Sequence, residues 1–121
     1  MKNILVIGST GQIGSELTME LRRRYGNEHV VAGYIVGSEP KGALAESGPS
    51  AIADVCDGEG IARIVKEQHI DTIYNLAALL SVVAEGKPRL AWKVGIDGLW
   101  NILEVAREAH CAVFTPSSNT K

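Results

Sequence analysis

The stretch that decides the fold is ILVIGSTGQIGSEL, residues 4–17. Its four apolar residues lead directly into Gly8, Gly11 and Gly14, which follow one another at intervals of three. Apolar residues then recur at helical spacing, so the stretch predicts a buried strand, a glycine turn and a helix. Glycines at such a turn are typical of sites that hold phosphate groups, although the spacing alone is a weak signal.

Each glycine has a physical role in a phosphate-binding turn. Gly8 permits a tight turn, Gly11 lets the backbone approach a pyrophosphate, and Gly14 lets the helix pack close to the sheet. Backbone N–H groups at the start of the helix then face the anion. The alternative is a turn that only connects the strand to the helix. The predicted cofactor-binding residues of this turn are Gly8, Thr10, Gly11, Gln12, Ile13 and Gly14.

Strands and helices alternate along the rest of the chain. Because right-handed crossovers place helices over both faces, this alternation predicts a parallel sheet inside a three-layer sandwich. We therefore predict an α/β fold, a Rossmann-type doubly wound sheet of about five strands in the order 3-2-1-4-5, as a single domain over residues 1–121. A ligand would lie beyond the first and fourth strands, where the strand order reverses. The predicted strands are 3–7, 29–36, 51–54, 72–76 and 111–115, and the predicted helices are 12–25, 57–68 and 89–109. Residues 38–50 are predicted to form a loop with one weak helical turn, and a separate turn is predicted at 81–84, before the last helix.

Composition argues against several classes of function. The net charge is −2 and the positive residues cluster only at 22–24, a predicted solvated helix end, so we expect no nucleic-acid or membrane partner. No apolar run has the length of a membrane span and no secretory leader is recognisable, which predicts a cytoplasmic protein. Cys56 and Cys111 lack disulfide or metal spacing and are expected to be buried thiols, and no metal site is predicted.

Three segments together resemble one family. They are the glycine turn with Gln12 and Ile13, Asp54 after the third strand, and NLAALLS at 75–81 after the fourth. This combination resembles the extended short-chain dehydrogenase/reductase family, which includes nucleotide-sugar epimerases and dehydratases. Within it, LLS at 79–81 and the segment 91–108 are most similar to the short-chain type of L-threonine 3-dehydrogenase.

The resemblance implies NAD as cofactor and assigns further binding residues. It implies that Asp54 and Val55 lie at the adenine and that Leu76, Ala77 and Ala78 lie against the ribose and nicotinamide. A carboxylate can accept a hydrogen bond from the adenine amino group, and small side chains leave room for a flat cofactor. Asp54 capping the turn before the next helix is the alternative.

The catalytic part of the resemblance is incomplete. It implies that Ser81 lies near the substrate, with a helix N-cap as the alternative, and that Ser118 is the catalytic hydroxyl position. The family also uses a Tyr-x-x-x-Lys pair, in which the tyrosine takes the proton of the substrate hydroxyl. None of Tyr25, Tyr34 and Tyr74 has a lysine four residues on, so we expect no catalysis by this chain alone.

Two positions depart from the family pattern. Tyr34 stands at the end of strand two, where the family has the acid that holds the ribose. The ribose contact is therefore missing unless Glu39 or a water supplies it. The segment 35–37 offers no arginine for a 2′-phosphate, so NADP is not predicted. Gly95 stands where the family has asparagine, inside a predicted helix where glycine lowers helix stability.

These observations predict the NAD(H)-binding module of an oxidoreductase, truncated relative to its family. The intact parent would oxidise L-threonine to 2-amino-3-ketobutyrate with NAD. The alternatives are a fragment of a nucleotide-sugar epimerase or dehydratase and a non-enzymatic nucleotide-binding or interaction protein. We also expect self-association into a homo-oligomer, through the long helices or an exposed fifth strand, with Leu99, Trp100 and Leu103 partly exposed.

Overall fold

The computed structural model describes residues 2–76 and 88–115, and between residues 88 and 97 it describes the backbone only. Strands and helices alternate throughout these residues, as the sequence predicts. The elements are β1 (Ile4–Ile7), α1 (Gln12–Tyr25), a 3-10 turn (Asn27–His29), β2 (Val30–Tyr34), α2 (Ala43–Glu46), β3 (Ser50–Ile52), α3 (Gly58–Glu67), β4 (Thr72–Asn75), α4 (Pro88–Ala109) and β5 (Ala112–Phe114).

The five strands form one parallel sheet in the order β3-β2-β1-β4-β5. Strand β1 lies at its centre, where Ile4 pairs with Val30 on one side and with Thr72 on the other. The strand order reverses at β1, because β2 and β3 follow on one side of it and β4 and β5 on the other. The connections on the two sides therefore diverge, which opens a crevice beyond the carboxyl end of β1. The predicted Rossmann-type fold and strand order are confirmed.

The two faces of the sheet bury different side chains. Along β1, Leu5 and Ile7 pack under α3 and α4, whereas Ile4 and Val6 pack under α1. This alternation follows from the two-residue period of a strand, and all four side chains are almost fully buried because helices cover both faces.

Helix α3 begins where the sequence predicts. The side chain of Asp57 accepts a hydrogen bond from the N–H of Gly60 at 3.1 Å and so caps the first turn. Three apolar residues of this helix, Ile61, Ile64 and Val65, face the core at helical spacing.

The strands are shorter than predicted. The second ends at Tyr34 rather than at residue 36, and the third covers Ser50–Ile52 rather than 51–54. Ile35 and Val36 are exposed because the chain turns away from the sheet there, at Gly37, whose φ of +95° suits glycine. The predicted turn at 81–84 lies outside the described residues.

The thiol predictions hold only in part. Neither cysteine forms a disulfide, as expected, but Cys56 is exposed rather than buried. It lies in the short turn between β3 and α3, where the chain runs over the surface. Cys111 is half-buried, and its Sγ donates to the carbonyl of Ile70 at 3.1 Å.

Candidate functional site

The glycine turn lies at the carboxyl end of β1, at the point where the sheet order reverses. Gly8 has a φ of +81°, a backbone conformation that residues other than glycine rarely adopt. A Cβ on Gly14 would collide with the carbonyl oxygen of Gly8 and would lie 2.9 Å from the Cα of Ser9. Helix α1 therefore approaches the strand as closely as it does only because Gly14 has no side chain.

Ser9 fixes the other end of this turn. Its N–H donates to the carbonyl of Gly33 at 3.0 Å, and its hydroxyl donates to the same oxygen at 2.8 Å. Ser9 is fully buried, so these bonds are shielded from water and tie the turn to the end of β2. The turn is thus held rigidly by two strands.

The first turn of α1 presents its N–H groups without a side-chain cap. Its N-cap residue is Gly11, and no side chain of the described residues caps this terminus. Gln12 and Ile13 are exposed, with 59% of Ile13 accessible. The unpaired N–H groups and the positive end of the helix dipole suit an anion such as a pyrophosphate.

A cleft of about 400 Å³ opens beside this helix terminus. One wall comes from Thr10 and Ser15 of the turn and of α1, and the other comes from residues 37–41 after β2 together with Leu44. The cleft therefore joins two segments that are more than twenty residues apart in the sequence, at the edge where Rossmann folds bind the adenosine side of a dinucleotide.

The position of the missing acid is occupied by a half-buried tyrosine. Tyr34 is the last residue of β2, and its carbonyl accepts from the N–H of Ala53 at 2.7 Å. The first carboxylate after the strand belongs to Glu39, whose Oε2 accepts from the N–H of Gly37 at 3.0 Å. Backbone hydrogen bonds from Gly37 and from Glu39 itself lower the pKa of Glu39, which favours its ionised form.

Asp54 and Val55 follow β3 at the same edge of the sheet. Asp54 is exposed, and its Oδ1 accepts from the N–H of Cys56 at 2.9 Å, so this carboxylate caps the turn as the alternative interpretation expects. The side chain of Val55 is buried and packs on α4, where a Cβ on Gly98 would lie 2.5 Å from its Cγ2. Asn101 donates to the carbonyl of Val55 at 2.8 Å and fixes the backbone there.

The residues after β4 are described only in part. The side chain of Leu76 is buried with Ile4, Val6 and Leu21 under α1, and its N–H donates to the carbonyl of Ile7 at 2.9 Å. Leu76 thus lies beside the glycine turn, at the end of the central strand. Ala77, Ala78, Ser81 and Ser118 lie outside the described residues.

Arg22 contradicts the prediction of a solvated helix end at 22–24. Its guanidinium is buried, with 1% of the residue accessible, whereas Arg23 and Arg24 are exposed and pair with Glu20. The reason is helical spacing, because Gly14, Thr18 and Arg22 follow at intervals of four and all face inward. That spacing is the signal which sequence reasoning overlooked.

Arg22 joins α1 to the segment between β2 and β3. Its donors reach the carbonyls of Val30, Leu44 and Pro49 at 3.2, 2.7 and 2.6 Å, and the hydroxyl of Ser47 at 2.8 Å. All of these acceptors are neutral. Since Leu44 also lines the cleft, Arg22 supports one cleft wall from behind.

Two other classes of site find no support in the described part of the chain. Residues 2–76 and 88–115 contain no group of three or more His, Cys, Asp or Glu side chains that could hold a metal ion. In the same residues, no helix combines the length and the apolar character needed to cross a bilayer.

Known proteins match this chain along almost all of its length. The sequence model of the NAD dependent epimerase/dehydratase family matches residues 4–120. A protein of Staphylococcus epidermidis named "uncharacterized epimerase/dehydratase" is 44% identical over 118 residues, which are 98% of this chain and 37% of that protein.

Two solved structures are similar in fold and sequence. The L-threonine dehydrogenase of Clostridium difficile superposes with a TM-score of 0.85 at 48% identity, over 98% of this chain and 37% of that one. The GalE-like L-threonine dehydrogenase of Cupriavidus necator, solved in its holo form, superposes with a TM-score of 0.82 at 35% identity, over 96% of this chain and 37% of that one. The chain thus spans little more than a third of the length of these relatives. With the glycine turn in place at the reversal of the sheet, the chain belongs to the NAD-dependent epimerase/dehydratase family.

Proposed function

We propose that this chain is the NAD(H)-binding part of an oxidoreductase related to the L-threonine 3-dehydrogenases. The whole protein would oxidise L-threonine to 2-amino-3-ketobutyrate, with NAD accepting the hydride. The observation that carries the proposal is the glycine turn, in which Gly14 admits α1 against Gly8 and leaves the helix N-terminus uncapped beside a cleft.

The residues of the turn fit a dinucleotide. The N–H groups of Gln12 and Ile13, in the uncapped first turn of α1, would donate to the pyrophosphate, and Thr10 lines the cleft that would take the adenosine. Asp54 keeps a carboxylate at the sheet edge near the expected adenine position, and Val55 would contribute there through its backbone, since its side chain is buried. When bound, the cofactor supplies the hydride acceptor or donor.

A nucleotide-sugar epimerase or dehydratase is the second candidate for the whole protein, because the staphylococcal relative is named an epimerase/dehydratase and the chain matches the NAD dependent epimerase/dehydratase family. The two candidates share the cofactor site and differ in the substrate. Titration of the whole protein with NAD, in the presence of L-threonine or of a nucleoside diphosphate sugar, separates them, because only the proper substrate would change NAD affinity by linkage.

The first test of the proposal is calorimetric titration of the folded protein with NAD. We expect binding in the micromolar to submillimolar range, roughly −8 to −5 kcal/mol. Absence of binding at millimolar NAD, with a protein whose circular dichroism shows a folded α/β chain, would overturn the proposal.

A matched pair of substitutions locates the pyrophosphate. Ile13 is exposed, so Ile13→Glu and Ile13→Gln differ in charge while both leave the core intact. A carboxylate in the first turn favours the helix itself but repels a pyrophosphate at the same terminus. We expect Ile13→Glu to weaken NAD binding about ten- to a hundredfold and Ile13→Gln to change it by less than about threefold. Equal affinities for the two variants would place the pyrophosphate elsewhere.

A further inference from the structure

We propose that Glu39 accepts the hydrogen bonds of the adenosine ribose hydroxyls and selects a cofactor without a 2′-phosphate. This inference rests on the proposed function, because it concerns the same dinucleotide site. Rossmann folds that bind NAD carry this carboxylate about twenty residues after the glycine turn. Here that position is Tyr34, whose phenol offers a single oxygen and no charge.

Geometry places Glu39 on the correct wall of the cleft. Glu39 and Thr10 line the same 400 Å³ space, so the carboxylate faces the segment that approaches the pyrophosphate. The chain reaches this position because it turns at Gly37 after β2, and the side chain of Glu39 folds back to accept from the N–H of Gly37 at 3.0 Å. The bond to Gly37 orients the carboxylate before any ligand arrives.

The carboxylate retains acceptor capacity for a diol. An ionised carboxylate offers about four lone-pair sites, and the hydrogen bonds from the N–H groups of Gly37 and Glu39 occupy only part of them. The same bonds lower its pKa, so Glu39 is charged at neutral pH. Hydrogen bonds from ribose hydroxyls to a charged acceptor are among the stronger ones in proteins.

Charge in the cleft explains the expected selectivity. Lys41 also lines the cleft, and its charge acts on Glu39. With Glu39 present, the negative carboxylate would repel a 2′-phosphate and partly neutralise Lys41. Without it, Lys41 would remain as a cation that attracts such a phosphate.

The test titrates NAD, NADP and 2′-deoxy-NAD into the parent protein, Glu39→Gln and a matched control, Glu46→Gln. Glutamine keeps an oxygen acceptor for the N–H of Gly37 but loses the charge, and Glu46 is an exposed glutamate of α2 that lines neither cleft wall. We expect Glu39→Gln to weaken NAD about tenfold or more and to tighten NADP, while Glu46→Gln changes neither. For NAD that lacks the 2′-hydroxyl of the adenosine ribose (2′-deoxy-NAD), Glu39→Gln should reduce the affinity by a markedly smaller factor.

Further variants sharpen the assignment. Tyr34→Asp restores the usual acid, so Tyr34→Asp combined with Glu39→Gln should regain NAD affinity. Lys41→Met combined with Glu39→Gln should remove the gain for NADP. If the parent protein binds NAD and Glu39→Gln changes neither NAD affinity nor the NADP to NAD ratio, this inference is wrong and the proposed function stands. If the parent protein binds no NAD, the proposed function itself fails.

Discussion

At the scale of single residues, the most unusual feature is a buried guanidinium without a carboxylate partner among the described residues. Arg22 donates to three backbone carbonyls and one hydroxyl, and burial lowers its pKa, although an arginine remains charged at neutral pH. Gly48 leaves room for the guanidinium, because a Cβ there would lie 2.8 Å from Nε. The position of the guanidinium therefore requires a residue without a side chain at Gly48.

Replacement of Arg22 tests this arrangement. Arg22→Met fills similar volume but removes the guanidinium donor from the buried carbonyls of Val30 and Leu44, whereas the carbonyl of Pro49 keeps the N–H of Ala32. We expect a loss of about 2–4 kcal/mol in the free energy of unfolding. Arg22→Lys should recover only part of this loss, because one ammonium group cannot match the spread of the guanidinium donors.

The matched control is Arg23→Met, one residue further along the same helix. Arg23 is exposed and pairs with Glu20, so its loss should change stability little. Urea unfolding followed by circular dichroism measures all three variants. Equal midpoints for Arg22→Met and Arg23→Met would show that the buried hydrogen bonds contribute nothing.

At the scale of the elements, two helices end in the same way. Helices α3 and α4 each lead through a histidine in the left-handed region, His69 at φ 56° and His110 at φ 59°, into the following strand. Glycine is favoured at such positions, because a side chain makes the left-handed conformation costly. Both histidines are exposed, so no packing compensates for this cost.

Glycine at these two positions should stabilise the fold. We expect His110→Gly and His69→Gly each to raise the free energy of unfolding by about 0.5–1 kcal/mol, with the two effects adding. The control is Gln68→Gly, because Gln68 has a φ of −97° and gains nothing from glycine there. Urea midpoints measure the effect, and stabilisation by Gln68→Gly as large as by His69→Gly would contradict the conformational explanation.

The order of the strands and the bounds of the helices could be predicted from the sequence better than the ends of the strands. Strand order and helix bounds were predictable because buried parallel strands are continuous apolar runs and helices keep their own period, as in α1, which is predicted and observed at residues 12–25. Strand ends were less predictable, because Ile35 and Val36 continue the apolar run beyond the point where pairing stops. The burial of Arg22 was not predicted, because it is followed by Arg23 and Arg24 and three consecutive arginines indicate a solvated helix end.

The candidate site was predictable to a lesser degree. The glycine turn follows from local rules, because close approach and positive φ demand glycine at fixed positions. The position of Glu39 does not, because it depends on how the chain after β2 folds back over the cleft through Gly37. Asn101 was missed for the same reason, since it reaches Val55 across 46 residues of sequence.

At the scale of the whole molecule, apolar surface remains exposed on one helix and one edge strand. Trp100 and Leu103 of α4 are 65% and 47% accessible, and Phe114 of the edge strand β5 is 47% accessible and stacks on Tyr74. The predicted partial exposure of Leu99, Trp100 and Leu103 is thus confirmed, with Leu99 half-buried, and the fifth strand lies at the edge of the sheet in the described residues. Such surface favours contact with another protein surface.

We therefore expect the chain to self-associate. Trp100 and Leu103 are three residues apart on α4 and share one face, so a second copy can cover both at once. Sedimentation velocity should show an average mass that rises with concentration, and Trp100→Glu combined with Leu103→Glu should lower it towards the 12.9 kDa of one chain. Ile13→Gln removes an equally exposed apolar side chain from the opposite side of the sheet, on α1, and should leave association unchanged. A mass of one chain at every concentration would refute association. A decrease for Ile13→Gln as large as for the α4 variant would show that association does not use this helix.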